Sequence, residues 1–154
     1  MLKYVDTKVT FAEVPNEISL CINISNCPCA CKGCHSSYLA EDIGNKLNSD
    51  SIKELISNNK GITCICFMGG DSNPLEVDAL AQWVKINYSI KIAWYSGRQE
   101  LSKDINLNNF NFIKLGPYIE DLGPLNSKTT NQRFYKIEKN KLVDITNLFW
   151  KSND

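Results

Sequence analysis

The chain has 154 residues, with 17 lysines and arginines against 17 aspartates and glutamates, and 43% of it is hydrophobic. That balance is ordinary for a globular domain and leaves no basic excess for a nucleic-acid surface. No apolar run approaches the roughly 18 residues of a membrane span, and one domain over 1–154 is expected, long enough to fold without disulfides or metal.

The opening "MLKYVDTKVTF" lacks the apolar stretch of a signal peptide, so the expected location is cytoplasmic, where thiols stay reduced. "EISLCINI" (17–24) alternates, with Ile18, Leu20, Ile22 and Ile24 on one face, and predicts a strand. A cysteine-rich loop, "ISNCPCACKGCHSSY", follows at once. "SDSIKELISNN" (49–59) predicts a helix with Ile52, Leu55 and Ile56 on one side, Ser51 with Glu54 as a capping box, and Asn58, Asn59 and Gly61 as the stop. "ITCICF" (62–67) predicts a strand leaving through "MGGDSNP", and "EVDALAQWVKIN" (76–87) a helix with the stripe Val77, Leu80, Ala81 and Val84. "IKIAWY" (90–95) predicts a third strand ending in "SGR", with a short helix near 98–105. "FNFIKL" (110–115) predicts a fourth, followed by the long polar loop "GPYIEDLGPLNSKTTNQR" and a terminal hairpin over 134–145 around Lys139 and Asn140.

Strands alternating with helices imply parallel pairing through right-handed crossovers. A full eight-stranded barrel takes roughly 200 residues or more, so the expectation is part of one or a small open sheet. Either arrangement gathers the cysteine loop, "GGD", "SGR" and "GPY" at the carboxyl ends of the strands, where α/β proteins bind ligands.

Seven cysteines in a reducing compartment suggest metal or catalysis. A four-cysteine zinc site normally uses two short pairs well separated in sequence, whereas Cys27, Cys29, Cys31 and Cys34 fall within eight positions. Cys64 and Cys66 alternate within a strand, as small core residues do. An iron–sulfur cubane suits one wrapped loop better, because it presents several irons to neighbouring thiolates. Cys27, Cys31 and Cys34 give Cys-x3-Cys-x2-Cys, with Pro28 and Gly33 suited to tight turns. Three ligands leave one iron open to substrate or cofactor. By spacing alone Cys29 is interchangeable with Cys27 or Cys31; it is read here as a non-ligand.

This loop after the first strand resembles the signature of radical S-adenosylmethionine (SAM) enzymes. The resemblance implies a partial (β/α) barrel with mainly parallel strands, a 4Fe-4S cluster on Cys27, Cys31 and Cys34, and SAM bound at the open iron. "MGGD" (68–71) resembles the family's Gly-Gly-Glu/Asp-Pro segment, which implies that Gly69 and Gly70 let backbone approach SAM and that Asp71 opposes its ammonium. The family's proline is displaced, since Ser72 and Asn73 precede Pro74. Gly33 also stands where many members carry an aromatic residue. Ser96 with Gly97 and Lys114 are further cofactor candidates, against the plainer readings of an ordinary turn and a solvated lysine. His35 is either a packing residue beside the cluster or a cofactor contact.

"GPY" with "TNQR", together with "NCPCACKGCHS" after "EISLCINIS", resembles the activating proteins of anaerobic ribonucleotide reductases over roughly residues 8–137. That implies a glycyl-radical activase, reduced by flavodoxin or a similar donor, whose partner is the large subunit of the reductase. The alternatives are an activase of pyruvate formate-lyase or another glycyl-radical enzyme, a small-molecule enzyme such as a deazaguanine synthase, and a non-catalytic zinc-binding module.

Overall fold

The computed structural model describes residues 1–28 and 41–150. They form one mixed sheet flanked by two α-helices and two short 3-10 turns. The strands are β1 (Lys3–Thr10), β2 (Ser19–Ile24), β3 (Asn45–Lys46), β4 (Cys64–Met68), β5 (Lys91–Tyr95), β6 (Phe112–Leu115), β7 (Arg133–Glu138) and β8 (Lys141–Asp144). The helices are α1 (Ser49–Asn58) and α2 (Pro74–Asn87). The sheet order is β3-β1-β2-β4-β5-β6-β7-β8.

The expected partial (β/α) barrel with mainly parallel strands is overturned. Only β2–β4, β4–β5 and β5–β6 pair in parallel; the other four pairings are antiparallel. The parallel block is therefore framed by β1 and β3 on one side and by the β7–β8 hairpin on the other. The third crossover also lacks its helix: 98–105 runs as bends and turns, followed by a 3-10 turn at Leu107–Asn109. Hydrogen bonds to α2 hold that connection instead. Asn106 N donates to Asp78 Oδ1 at 2.8 Å and Asn109 Nδ2 donates to the same oxygen at 3.2 Å.

Side-chain alternation divides the sheet cleanly. Leu20, Ile22 and Ile24 of β2, Ile65 and Phe67 of β4, Ile92 and Trp94 of β5, and Ile113 and Leu115 of β6 pack with Ile52 of α1 and the predicted stripe of α2. The opposite face carries Cys21, Cys64, Cys66, Ala93, Tyr95 and Phe112. No α-helix covers it among the described residues; Phe134 of β7 extends this face, and Val14, Leu125 and, from the 3-10 turn Thr146–Phe149, Phe149 pack against it. Tyr95 Oη donates to Glu13 O, fixing the connection after β1 across this face.

Both helices lie where the apolar periodicity predicts, but the cap of α1 differs. Asn48 is the N-cap: Ser51 N donates to Asn48 Oδ1 and Asn48 N donates to Ser51 Oγ, both at 2.9 Å. Ser51 thus sits inside the first turn, reciprocating the cap rather than forming it. The terminal hairpin turns at Lys139 and Asn140, with φ of 49° and 61°, the left-handed pair that matches strand twist in a two-residue loop. No helix among the described residues is long and apolar enough to cross a membrane.

Candidate functional site

Because β2, β4, β5 and β6 run in parallel, their carboxyl ends open on one edge of the sheet. The residues that follow are Ser25–Pro28, Gly69–Asp71, Ser96–Arg98 and Gly116–Tyr118. Cys27 is half-buried at this edge. Asn26, at φ 59°, donates its N–H to Glu41 O at 2.9 Å, which closes the base of the cysteine loop. Cys29, Cys31, Gly33, Cys34 and His35 lie outside the described residues.

The Gly69–Gly70 step depends on glycine. Both residues have positive φ, +105° and +94°. A Cβ on Gly70 would stand 2.5 Å from Val77 Cγ2, and one on Gly69 would stand 3.2 Å from Ile24 O. The chain thus passes between the end of β2 and α2 only without side chains. Gly69 N donates to Tyr95 O at 3.0 Å and Gly69 O accepts from Trp94 Nε1 at 2.7 Å, so this turn is stitched to β5 from both sides.

Asp71 is turned inward and only 6% exposed. Its Oδ1 accepts from Ser96 Oγ at 2.5 Å and its Oδ2 from Gly97 N at 2.8 Å. Ser96 Oγ in turn accepts from Arg98 N at 3.1 Å. Lys114, expected on the plainer reading to be solvated, is 8% exposed. Its Nζ donates to Ser96 O at 3.1 Å and Gly116 O at 2.8 Å, and lies 5.9 Å from the Tyr95 ring centroid. A buried carboxylate and a buried ammonium are tolerable only when hydrogen-bonded, and Ser96 serves both: its hydroxyl meets Asp71 and its carbonyl meets Lys114. One polar chain therefore links the ends of β4, β5 and β6.

The loop "TTNQR", a polar turn entering a strand on the plainer reading and with "GPY" part of the family resemblance, reaches the same edge. Asn131 Nδ2 donates to Pro117 O at 3.0 Å, and Gln132 Nε2 to Gly116 O at 3.5 Å. Asn131 Oδ1 is buried without a hydrogen-bond partner among the described residues. No spacing rule points to these two side chains, because the contact depends on β7 returning antiparallel to β6.

The thiols inside the sheet have a different character. Cys21, Cys64 and Cys66 are buried. Burial pushes the Cys64 thiol up to about 12, and burial together with the neighbouring Cys21 raises Cys66 well above its ordinary range. Cys64 and Cys66 remain protonated core thiols, poor metal ligands by comparison with a loop cysteine. Comparisons with protein-family models, curated proteins and solved structures find no match to this chain.

Proposed function

We propose that the chain is a radical SAM glycyl-radical activase acting on the large subunit of an anaerobic ribonucleotide reductase. The observation that supports this most is that Cys27, the first thiol of the Cys-x3-Cys-x2-Cys run, shares one sheet edge with the buried Asp71–Ser96–Lys114 chain. The donor chemistry suits an iron–sulfur cluster: three thiols closely spaced in sequence, distinct from the buried thiols of the core. Once reduced by flavodoxin or a similar donor, a 4Fe-4S cluster there would supply the electron that splits SAM into methionine and a 5′-deoxyadenosyl radical, which takes a hydrogen atom from a glycine Cα.

The chain's own residues supply the frame. Gly69 and Gly70 bring backbone to the edge without side chains in the way. Asp71 is held by Ser96 Oγ and Gly97 N, which orients its negative charge beside the end of β4. Lys114 is anchored on two backbone carbonyls, those of Ser96 and Gly116, at the ends of β5 and β6. In this reading the pair acts first by positioning the β4 and β5 turns, and His35 belongs to the cysteine loop beside the cluster.

The test is anaerobic reconstitution with iron and sulfide, followed by assay of SAM cleavage under a strong reductant and electron paramagnetic resonance after addition of the reductase. The expected result is a brown protein that cleaves SAM and yields a glycyl radical. Cys27→Ala, Cys31→Ala and Cys34→Ala are each expected to lose iron and cleavage, and Cys29→Ala to keep both. A colourless protein that binds one zinc would replace this reading with the zinc module. A brown protein that radicalises only pyruvate formate-lyase would move the partner.

A further inference from the structure

Asn131 departs from the rule that buried polar atoms are paired. Its Oδ1 is buried without a hydrogen-bond partner among the described residues, while its Nδ2 donates to Pro117 O at 3.0 Å. A carbonyl only accepts, so the nitrogen must face Pro117, and the amide cannot turn over to pair its oxygen. An unpaired buried acceptor costs stability, and an apolar side chain of the same shape avoids that cost. Packing alone therefore does not select asparagine at this position. Its use lies in what the Nδ2 holds.

Pro117 follows the residue on which Lys114 is anchored. Gly116 O accepts from Lys114 Nζ at 2.8 Å, and Gly116 N donates to Arg98 O at 2.7 Å. Gly116 has φ +111°, and a Cβ there would stand 3.1 Å from Gln132 Cα and 3.6 Å from Asn131 Nδ2, so the end of β6 lies directly on the returning chain. A glycine carbonyl swings easily, because no side chain opposes the rotation. Proline is the reverse: its ring fixes φ, so a hold on the Pro117 carbonyl passes stiffly to the Gly116–Pro117 peptide. Gln132 Nε2 lies 3.5 Å from Gly116 O, too far to hold it firmly, whereas Asn131 grips one residue further on with a bond of ordinary length. The grip is itself anchored. Thr130 is buried, its Oγ1 accepts from Gln132 N at 3.0 Å, and its N donates to Ser127 O at 3.1 Å.

We infer that Asn131 is a positioning residue of the carboxyl edge: by holding Pro117 O it fixes the Gly116 carbonyl, and through that carbonyl the place of the Lys114 ammonium. Lys114 Nζ also donates to Ser96 O, so the ammonium bridges the ends of β5 and β6, and Asn131 secures the β6 side of that bridge. The value of this placement to SAM rests on the proposed activity; the hold on Lys114 does not.

The experiment compares wild type with Asn131→Leu and the smaller Asn131→Ala in two assays. In the first, the full chain before reconstitution is reductively methylated, the rate at Lys114 is read by peptide mass spectrometry, and urea midpoints are measured alongside. Both variants are expected to react at Lys114 roughly fivefold faster than wild type, since a buried amine reacts only from opened states. The other lysines are expected to keep their rates, and Asn131→Leu to keep the wild-type midpoint. In the second, SAM affinity of the anaerobically reconstituted protein is measured by calorimetry. Each variant is expected to bind SAM about tenfold more weakly, the size of one hydrogen bond to a charged group, with unchanged iron content. Lys114 reacting at the wild-type rate overturns the inference. So does a faster rate that only follows a fall in midpoint in both variants, or unchanged SAM affinity in variants of a wild type that binds SAM. A wild type that binds no SAM sinks the proposed activity instead, and the Lys114 rates then decide the role of Asn131 by themselves.

Discussion

Removing the Ser96 hydroxyl probes whether the polar chain at the carboxyl edge is a built element. Ser96 is 1% exposed, and its Oγ lies 2.5 Å from Asp71 Oδ1. A hydrogen bond to a charged group contributes about 1.5–3 kcal/mol, and Ser96→Ala also strips Arg98 N of its acceptor, so the expected loss is about 2 kcal/mol. Asp71→Ala strands both Ser96 Oγ and Gly97 N but relieves the burial of a carboxylate, so its expected loss is similar, about 2–3 kcal/mol. With Asp71 already removed, Ser96→Ala then costs only about 0.5 kcal/mol, giving a coupling energy near ~1.5 kcal/mol. Urea unfolding of the four reduced proteins measures this: a 2 kcal/mol loss lowers the midpoint by about 1 M at an unchanged slope. A single-variant loss below about 0.5 kcal/mol, or a coupling indistinguishable from zero, would refute the claim that Ser96 holds Asp71 in place.

Gly70→Ala is expected to cost about 2 kcal/mol or more, because the Cβ meets Val77 Cγ2 at 2.5 Å as well as an unfavourable φ; Gly61→Ala, at φ +93° with nothing within 4 Å, is expected to cost only about 1 kcal/mol by urea unfolding. The raised thiols give an alkaline signature. Cys64 moves from 9.0 to about 12, so the unfolded chain releases its proton first and stability falls as pH rises through that window. The slope per thiol is about 1.4 kcal/mol per pH unit. Cys66 and Tyr95, raised chiefly by burial, act in the same direction. Stability measured between neutral and alkaline pH is expected to decline, and Cys64→Ala to flatten the decline; a profile unaffected by that substitution would contradict the assignment of a buried protonated thiol.

The parallel block was legible because its signals are local. Ile18 to Ile24 alternate, and Val77, Leu80, Ala81 and Val84 recur at helical spacing, so strands and helices could be placed from the chain alone. The barrel was not, because the features that cancel it are tertiary. β1 lies between β2 and the two-residue β3, and its period-two alternation of Val5, Thr7 and Val9 with Asp6 and Lys8 marks a strand but does not say that it pairs antiparallel with β2. The helix near 98–105 loses to hydrogen bonds from Asn106 and Asn109 to Asp78, a competition fixed only when α2 is in place. At the candidate site, Gly69, Gly70, Asp71 and Ser96 were visible as turn residues after strands. The burial of Lys114, and the arrival of Asn131 and Gln132, depend on which strand lies beside β6, and sequence spacing carries no information about that.

The indole of Trp94 has a consequence for following events at this edge. Its ring is buried among core side chains, tilted against Phe110 with centroids 6.3 Å apart, while its N–H is tied to the Gly69 carbonyl. Trp83 and Trp150 are more accessible to water. The chain thus contains an intrinsic optical reporter: any occupant that shifts the Gly69 turn alters the polarity felt by one shielded chromophore, so the blue side of the fluorescence emission registers binding without an attached label.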